Sequence, residues 1–289
     1  MKIRSGFVSN SSSSSFVVAW PKKPENALEA RGILFADDTE YPNPYPASGG
    51  HNYCPSIVSE RVLRMVEWDE KQVRDSLVGD FNSHVSYLVR EAGENRRDTF
   101  TYDKNDKMVC RAEIAGCEIH EMIADLSQKY PRVNWKCRIK EVIERHRKYR
   151  KIEDAMNKEI WALEEKLRKE YGCEKLPWKD SYKMTVEEKV AFEKERQDNY
   201  KRYENTVCKD PRYKKTQEKR NKVYRKNRDN KRIQGTISLV ANRLADIFYA
   251  ENEGSVFSVC EIGDDTDLGS AMEHGNVFSR LPNKKFSHH

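Results

Sequence analysis

Carboxylates and imidazoles gather in the final stretch of the chain, where Glu261, Asp264, Asp265, Asp267, Glu273, His274, His288 and His289 fall within twenty-nine residues. These are the ligand types of Mg²⁺, Mn²⁺ and Zn²⁺ centres. Asp264, Asp267, His274 and His288 are the candidate ligands of a divalent metal, and Asp264, Asp265 and His274 the candidate catalytic groups. The spacing matches no strong metal motif: Asp264 to Asp267 is half of a calcium-loop pattern and lacks the remaining ligands. A solvated acidic turn accounts for the same residues. At the other end, Ser11 to Ser15 precede the apolar run Phe16-Val17-Val18-Ala19-Trp20. Ser11, Ser12 and Ser13 are candidate anion binders, because hydroxyls and backbone N–H groups can converge on a phosphate. A surface turn capped by its own hydroxyls is the competing reading. If the two ends meet, a metal beside an anion pocket suits phosphoryl transfer or phosphoester hydrolysis.

A different chemistry is written between Lys209 and Arg232, where twelve Lys or Arg stand against Asp210, Glu218 and Asp229. The segment carries a net +9, against +6 for the whole chain, so the remainder is net acidic. Lys219, Arg220, Arg225 and Arg228 are the leading candidates for contacts to successive phosphates, with Tyr213 and Tyr224 interleaved as stacking rings. Without a zinc finger or helix-turn-helix, such a contact is governed by charge more than by base sequence. The bland counterpart is a solvated helix face neutralised by a Glu-rich partner helix, supplied by Glu164, Glu165, Glu170, Glu187, Glu188, Glu193 and Glu195.

A second metal set, His51 and Cys54 with Cys110, Cys117 and His120, lacks a standard knuckle spacing, and chance assortment of core cysteines explains it better. Seven cysteines, an odd number in a chain of this length, fit a reducing compartment. No apolar run approaches a membrane span, and the first residues lack the apolar core of a signal peptide. These features point to the cytoplasm and away from membranes.

The elements that must position these groups follow from periodicity. Phe16 to Trp20 is β-branched and aromatic and reads as a short buried strand, and Val256 to Ile262 as another. Pro and Gly punctuate residues 21 to 55, with one short element at Ala27 to Phe35. A helix begins near Ser59. Asp69 caps a following one along Val73, Leu77 and Phe81, interrupted at Gly79-Asp80. Trp135 to Leu167 repeats apolar residues at three- and four-residue steps, which predicts one long helix ending at Gly172. Thr185-x-x-Glu188 has the form of a capping box opening a second helical region, interrupted at Pro211. Similar lengths and a short link predict an antiparallel hairpin of the two. Gly235 marks the break before an amphipathic helix through Ile237, Val240, Leu244 and Phe248.

The opening Lys2-Ile3-Arg4-Ser5-Gly6-Phe7-Val8-Ser9-Asn10 with its serines and Phe16 resembles the amino-terminal signature of a group of proteins from large tailed bacteriophages and some bacteria and archaea. Gly263-Asp264-Asp265, Met272-Glu273-His274-Gly275 and the final Ser287-His288-His289 resemble that group's carboxy-terminal part. The resemblance implies no activity. It does imply that the two ends meet, with the charged middle as an excursion, and a phage-encoded member would work in the bacterial host cytoplasm.

The expectation is therefore an α+β protein: a small sheet core formed by both termini, with a long charged helical hairpin inserted. Residues 1–130 and 235–289 would form the core and 131–234 the hairpin. Its function would be that of an accessory protein binding nucleic acid or a protein partner through residues 209–232. A metal-dependent phosphoryl-transfer enzyme and a virion or assembly component, self-associating as a homo-oligomer, are the alternatives.

Overall fold

A computed structural model of the protein describes residues 13–44, 52–94, 100–102, 108–176, 184–228, 230–263 and 266–287. The fold is mixed α and β, with two compact units. One comprises residues 1–88, 120–134 and 237–289; the other comprises 89–119 and 135–236.

The first unit is built on a four-stranded antiparallel sheet in the order β2-β5-β1-β6. Strand β1 (Ser13–Trp20) is central, flanked by β5 (Val256–Gly263) and β6 (Asn283–Ser287), and the two-residue β2 (Val66–Glu67) extends β5. The two ends of the chain thus meet in one sheet, with Phe16 opposite Cys260 on one side and Lys285 on the other. Strand β1 is buried at every position from Ser14 to Trp20. That is why its sequence is a continuous apolar run and not an alternation: both faces of the sheet are covered.

Alternate residues of β1 feed two separate cores. Phe16, Val18 and Trp20 pack with Cys260 and Ile262 against α1 (Ala27–Phe35), α2 (Pro55–Met65) and α9 (Asp267–His274). The rings of Phe16 and Phe278 lie 5.3 Å apart, and the Trp20 indole donates to Ser258 Oγ at 2.8 Å. Val17 and Ala19 face Val73, Leu77 and Phe81 of α3 (Glu70–Glu94) and Ala241, Ala245 and Phe248 of α8 (Lys231–Glu251).

Two helices differ from expectation at glycine. Helix α3 runs unbroken through Gly79 and α8 through Gly235, each with open space where a side chain would be. A helix absorbs one glycine for about 1 kcal/mol when its apolar stripe is buried. Asp69 does cap α3, accepting from Gln72 N at 2.8 Å.

The second unit contains a hairpin of β3 (Phe100–Tyr102) and β4 (Met108–Cys110), the first part of α4 (Arg111–Lys129), and the long α5 (Trp135–Glu170). Gly172 in a left-handed conformation, φ 61°, ends α5. Helix α6 (Val186–Asn205) opens with the Thr185–Glu188 capping box. A 3₁₀ turn (Val207–Lys209) then reverses the chain into α7 (Pro211–Arg228). The antiparallel partner of α5 is α7, not the helix that starts at Thr185. The reason is apolar content: α6 has no buried residue, while Tyr213 on α7 joins Ile160, Leu167, Cys173 and Val207 in a small core at the turn.

Candidate functional site

Two places concentrate polar chemistry: the end of the sheet where the serines lie, and the outer face of α7.

At the sheet end, Ser13, Ser14 and Ser15 are part of β1 itself, opposite Gly263, Ile262 and Glu261 of β5. The pleat sends neighbouring hydroxyls to opposite faces. Ser14 Oγ donates to Glu273 Oε1 at 2.7 Å, and both residues are fully buried. Ser15 Oγ donates to Asp80 Oδ2 at 2.8 Å on the α3 side. The other carboxylate oxygen of Glu273, Oε2, is buried without a hydrogen-bond partner among the described residues. Lys285, on β6, donates its Nζ to the backbone oxygen of Glu273 at 2.7 Å and sits 5.6 Å from the Phe16 ring. Burial lowers the Lys285 pKa below the ordinary lysine value, with Glu273 opposing.

Local sequence fixes α9 in place. Thr266 Oγ1 caps it by accepting from Gly269 N at 3.0 Å. Gly269 has to be glycine there, since a Cβ would fall 2.2 Å from Gly263 O at the end of β5. At the other end, the Tyr41 hydroxyl donates to Ala271 O at 3.0 Å. The helix buries Ala271, Met272 and Glu273 and leaves Asp267 and His274 exposed. Those two metal candidates occupy its first and last turns, about 10 Å apart along the axis.

Ser11, Ser12, Asp264, Asp265 and His288 lie outside the described residues, as does His51 of the cysteine set. Among the described residues no group of three His, Cys, Asp or Glu is arranged to hold a metal ion. Cys54 instead occupies the N-cap of α2, where the backbone N–H groups of Ser56 and Ile57 lower its thiol pKa, with Arg31 adding to the effect. Asp80 and Lys285 escape sequence reasoning: one sits next to a glycine that mimics a helix break, the other in a Lys-Lys strand with little apolar character.

On α7, packing and charge separate cleanly. Tyr213 and Thr216 are buried and Val223 half-buried, which defines the face turned to α5. Lys214, Lys215, Lys219, Lys222, Arg225 and Lys226 are all exposed. At 100° per residue these six fall in an arc of roughly 140° on the opposite side, with Glu218 inside it. Arg220 lies nearer the packed side and is half-buried; Arg228 closes the helix.

Neutralisation by acidic partners stops short of this face. Glu164 and Glu165 bond to Arg168 and Lys169 of their own helix, at 2.8 and 3.2 Å. Glu193 takes Arg196 of its own helix. Among the described residues of the arm only Arg212 is drawn in, to Glu170 at 2.8 Å and Asp210 at 2.9 Å. Asp210 also accepts from the Tyr171 hydroxyl at 3.0 Å, and these partners, Arg212 first, hold its carboxyl well below the usual range. Among the described residues no carboxylate lies within ion-pair distance of the six cations.

The rings divide as well. Tyr213 is 6% exposed and engaged with Tyr203 at 3.2 Å, so it is withdrawn from any stacking role, while Tyr224 is 56% exposed beside the cationic arc.

Compared with family models, characterised proteins and solved structures, the chain finds no match. No helix among the described residues is long and apolar enough to cross a membrane.

Proposed function

We propose that this protein binds nucleic acid through the outer face of α7, holding the phosphate backbone by charge. The carrying observation is that six exposed cations share one face of a single helix with no carboxylate within ion-pair distance among the described residues. Lys215, Lys219, Lys222 and Lys226 form one row at steps of four, three and four residues, with Lys214 and Arg225 beside it. The row spans about 16 Å at 1.5 Å per residue, comparable to roughly five nucleotides of one duplex strand at 3.4 Å each. A row of like charges this dense repels itself even with Glu218 inside its arc, and counterion release on meeting phosphates relieves that repulsion. Tyr224 offers one ring for stacking where the partner is single-stranded.

Fluorescence anisotropy with duplex DNA, single-stranded DNA and RNA across a salt series tests the reading. Neutralising Lys219, Lys222, Arg225 and Lys226 to Gln should weaken binding uniformly across sequences. It should also flatten the slope of log K against log salt by about three to four. Binding by the parent chain with no salt dependence, or an unchanged slope in the variant, would overturn it.

A further inference from the structure

A separate groove in the helical unit is lined by Arg138, Glu141 and Arg145 of α5 and by Lys231, Arg232 and Thr236 of the first turns of α8, around a volume of about 530 Å³. We infer that this groove is a discrete binding site for a phosphate monoester or pyrophosphate group, distinct from the open cationic row of α7. Four cations face one carboxylate, leaving the lining at +3. That carboxylate is paired through one oxygen: Arg145 donates from Nε at 3.0 Å and Nη2 at 2.7 Å to Glu141 Oε1. Arg145 lowers the Glu141 pKa below the ordinary carboxylate value, with Arg232 and Arg138 adding smaller contributions.

Among the described residues neither Arg138 nor Arg232, nor Lys231, has an ion-pair partner of its own, and all three are exposed. Asn230 already occupies two N–H groups of the α8 start, accepting from Arg232 N and Ile233 N. The charge available to a ligand is therefore that of the side chains. The volume lies in the range of small-molecule sites. The lining has no aromatic ring on which a base could stack, so recognition falls on the phosphate end of the ligand. Two sources share that chemistry: the 5′-phosphate of a nucleic-acid chain and a free nucleotide or pyrophosphate.

Titration calorimetry of the full chain with inorganic pyrophosphate, and anisotropy with 5′-phosphorylated and 5′-hydroxyl oligonucleotides, test the site. Arg138→Gln with Arg232→Gln should weaken pyrophosphate binding about tenfold or more, the scale of a lost charged hydrogen bond. Neutralising Lys219 and Arg225 on α7 should leave it unchanged. Glu141→Gln should tighten it several-fold, a gain that a misfolded protein cannot produce. A preference for the 5′-phosphorylated oligonucleotide that disappears in R138Q/R232Q assigns the site to chain ends. Pyrophosphate binding without that preference assigns it to free ligands. No millimolar binding of pyrophosphate by the parent, or equal binding by the parent and R138Q/R232Q, would overturn the inference. Because α7 and the groove are mutated separately, failure of one reading leaves the other standing.

Discussion

Strand β1 and helix α6 handle their side chains in opposite ways. Seven of the eight residues of β1 are buried, whereas none of the twenty in α6 is. Alternate residues of β1 are held by two different cores, while α6 is held by its capping box and by a few contacts, such as Tyr203 against Tyr213 and Arg168, and Arg202 to Gly172 O, that bury none of its residues. The low mean hydropathy of −0.92 averages apolar segments such as β1 with charged ones such as α6. Apolar burial is concentrated in a few short stretches, and long charged helices are left with surfaces that the fold does not consume. The surface most open to a partner is then on the charged helix faces, and the residues most costly to change are those buried in the cores, Phe16 and Trp20 of β1 among them.

The sharpest way to break this comparison is a pair of truncations. Phe16→Ala removes a fully buried ring between Phe278 and Lys285 and should destabilise the sheet unit by about 3–5 kcal/mol. Tyr200→Ala on α6, where the ring is 59% exposed, should change stability by no more than about 0.5 kcal/mol. Urea unfolding of both variants measures the two effects. A cost for Tyr200→Ala approaching that of Phe16→Ala would mean that α6 is covered in solution, and a mass measurement would then show whether a second copy covers it.

How far the sequence discloses this architecture depends on where the information is local. Phe16 to Trp20 and Val256 to Ile262 are readable as strands because buried β-branched runs have few other uses. Nothing local in either run specifies the other as its partner, so their pairing is seen only in the sheet itself. The α5 boundaries are legible from the apolar period and Gly172, and the Thr185 cap from its spacing. Strand β6 was not legible, since Asn283-Lys284-Lys285-Phe286-Ser287 pairs along an edge by backbone bonds and carries one core side chain. The partner of α5 was misassigned because helix length and linker length say nothing about which helix has an apolar side chain to place. The serines were legible as a feature held near the fold but not as strand residues. Nothing in five consecutive serines indicates that alternate hydroxyls face Glu273 and Asp80. The cations of α7 are countable in the sequence, but to see that the six on its outer face have no acidic partner among the described residues requires the positions of Glu164, Glu165 and Glu193.

The serine pairs supply a second, smaller test. Ser14→Ala strips the hydrogen-bond donor to Glu273 Oε1, and Oε2 already lacks one among the described residues. The expected cost is about 1–3 kcal/mol for a buried acceptor left unsatisfied. Adding Glu273→Leu to Ser14→Ala should recover part of it, because removing both polar partners avoids the desolvation penalty. If the double variant is the less stable of the two, Glu273 has a further role that its Ser14 contact does not account for.

The last test contrasts the units by pH. In the helical unit the His146 ring is half-buried beside Gly93, where a Cβ would lie 3.0 Å from His146 Cδ2. Its Nε2 has no partner among the described residues. Burial lowers its pKa below the ordinary 6.5, with Glu94 opposing and Arg150 and Arg90 reinforcing. A depressed folded pKa means that the unfolded chain takes up the proton first. The contribution of His146 to stability is therefore complete above about pH 6.5 and falls as the pH drops through that value toward the folded one. Glu153, raised by burial, works in the opposite sense, losing stability as pH rises through its folded pKa. Comparing His146→Leu with the parent at each pH cancels that term. The urea midpoint of the parent should fall relative to that of H146L between pH 7.5 and 5.5, read by hydrogen exchange on α5. Parallel midpoints across that range would show that the ring is solvated.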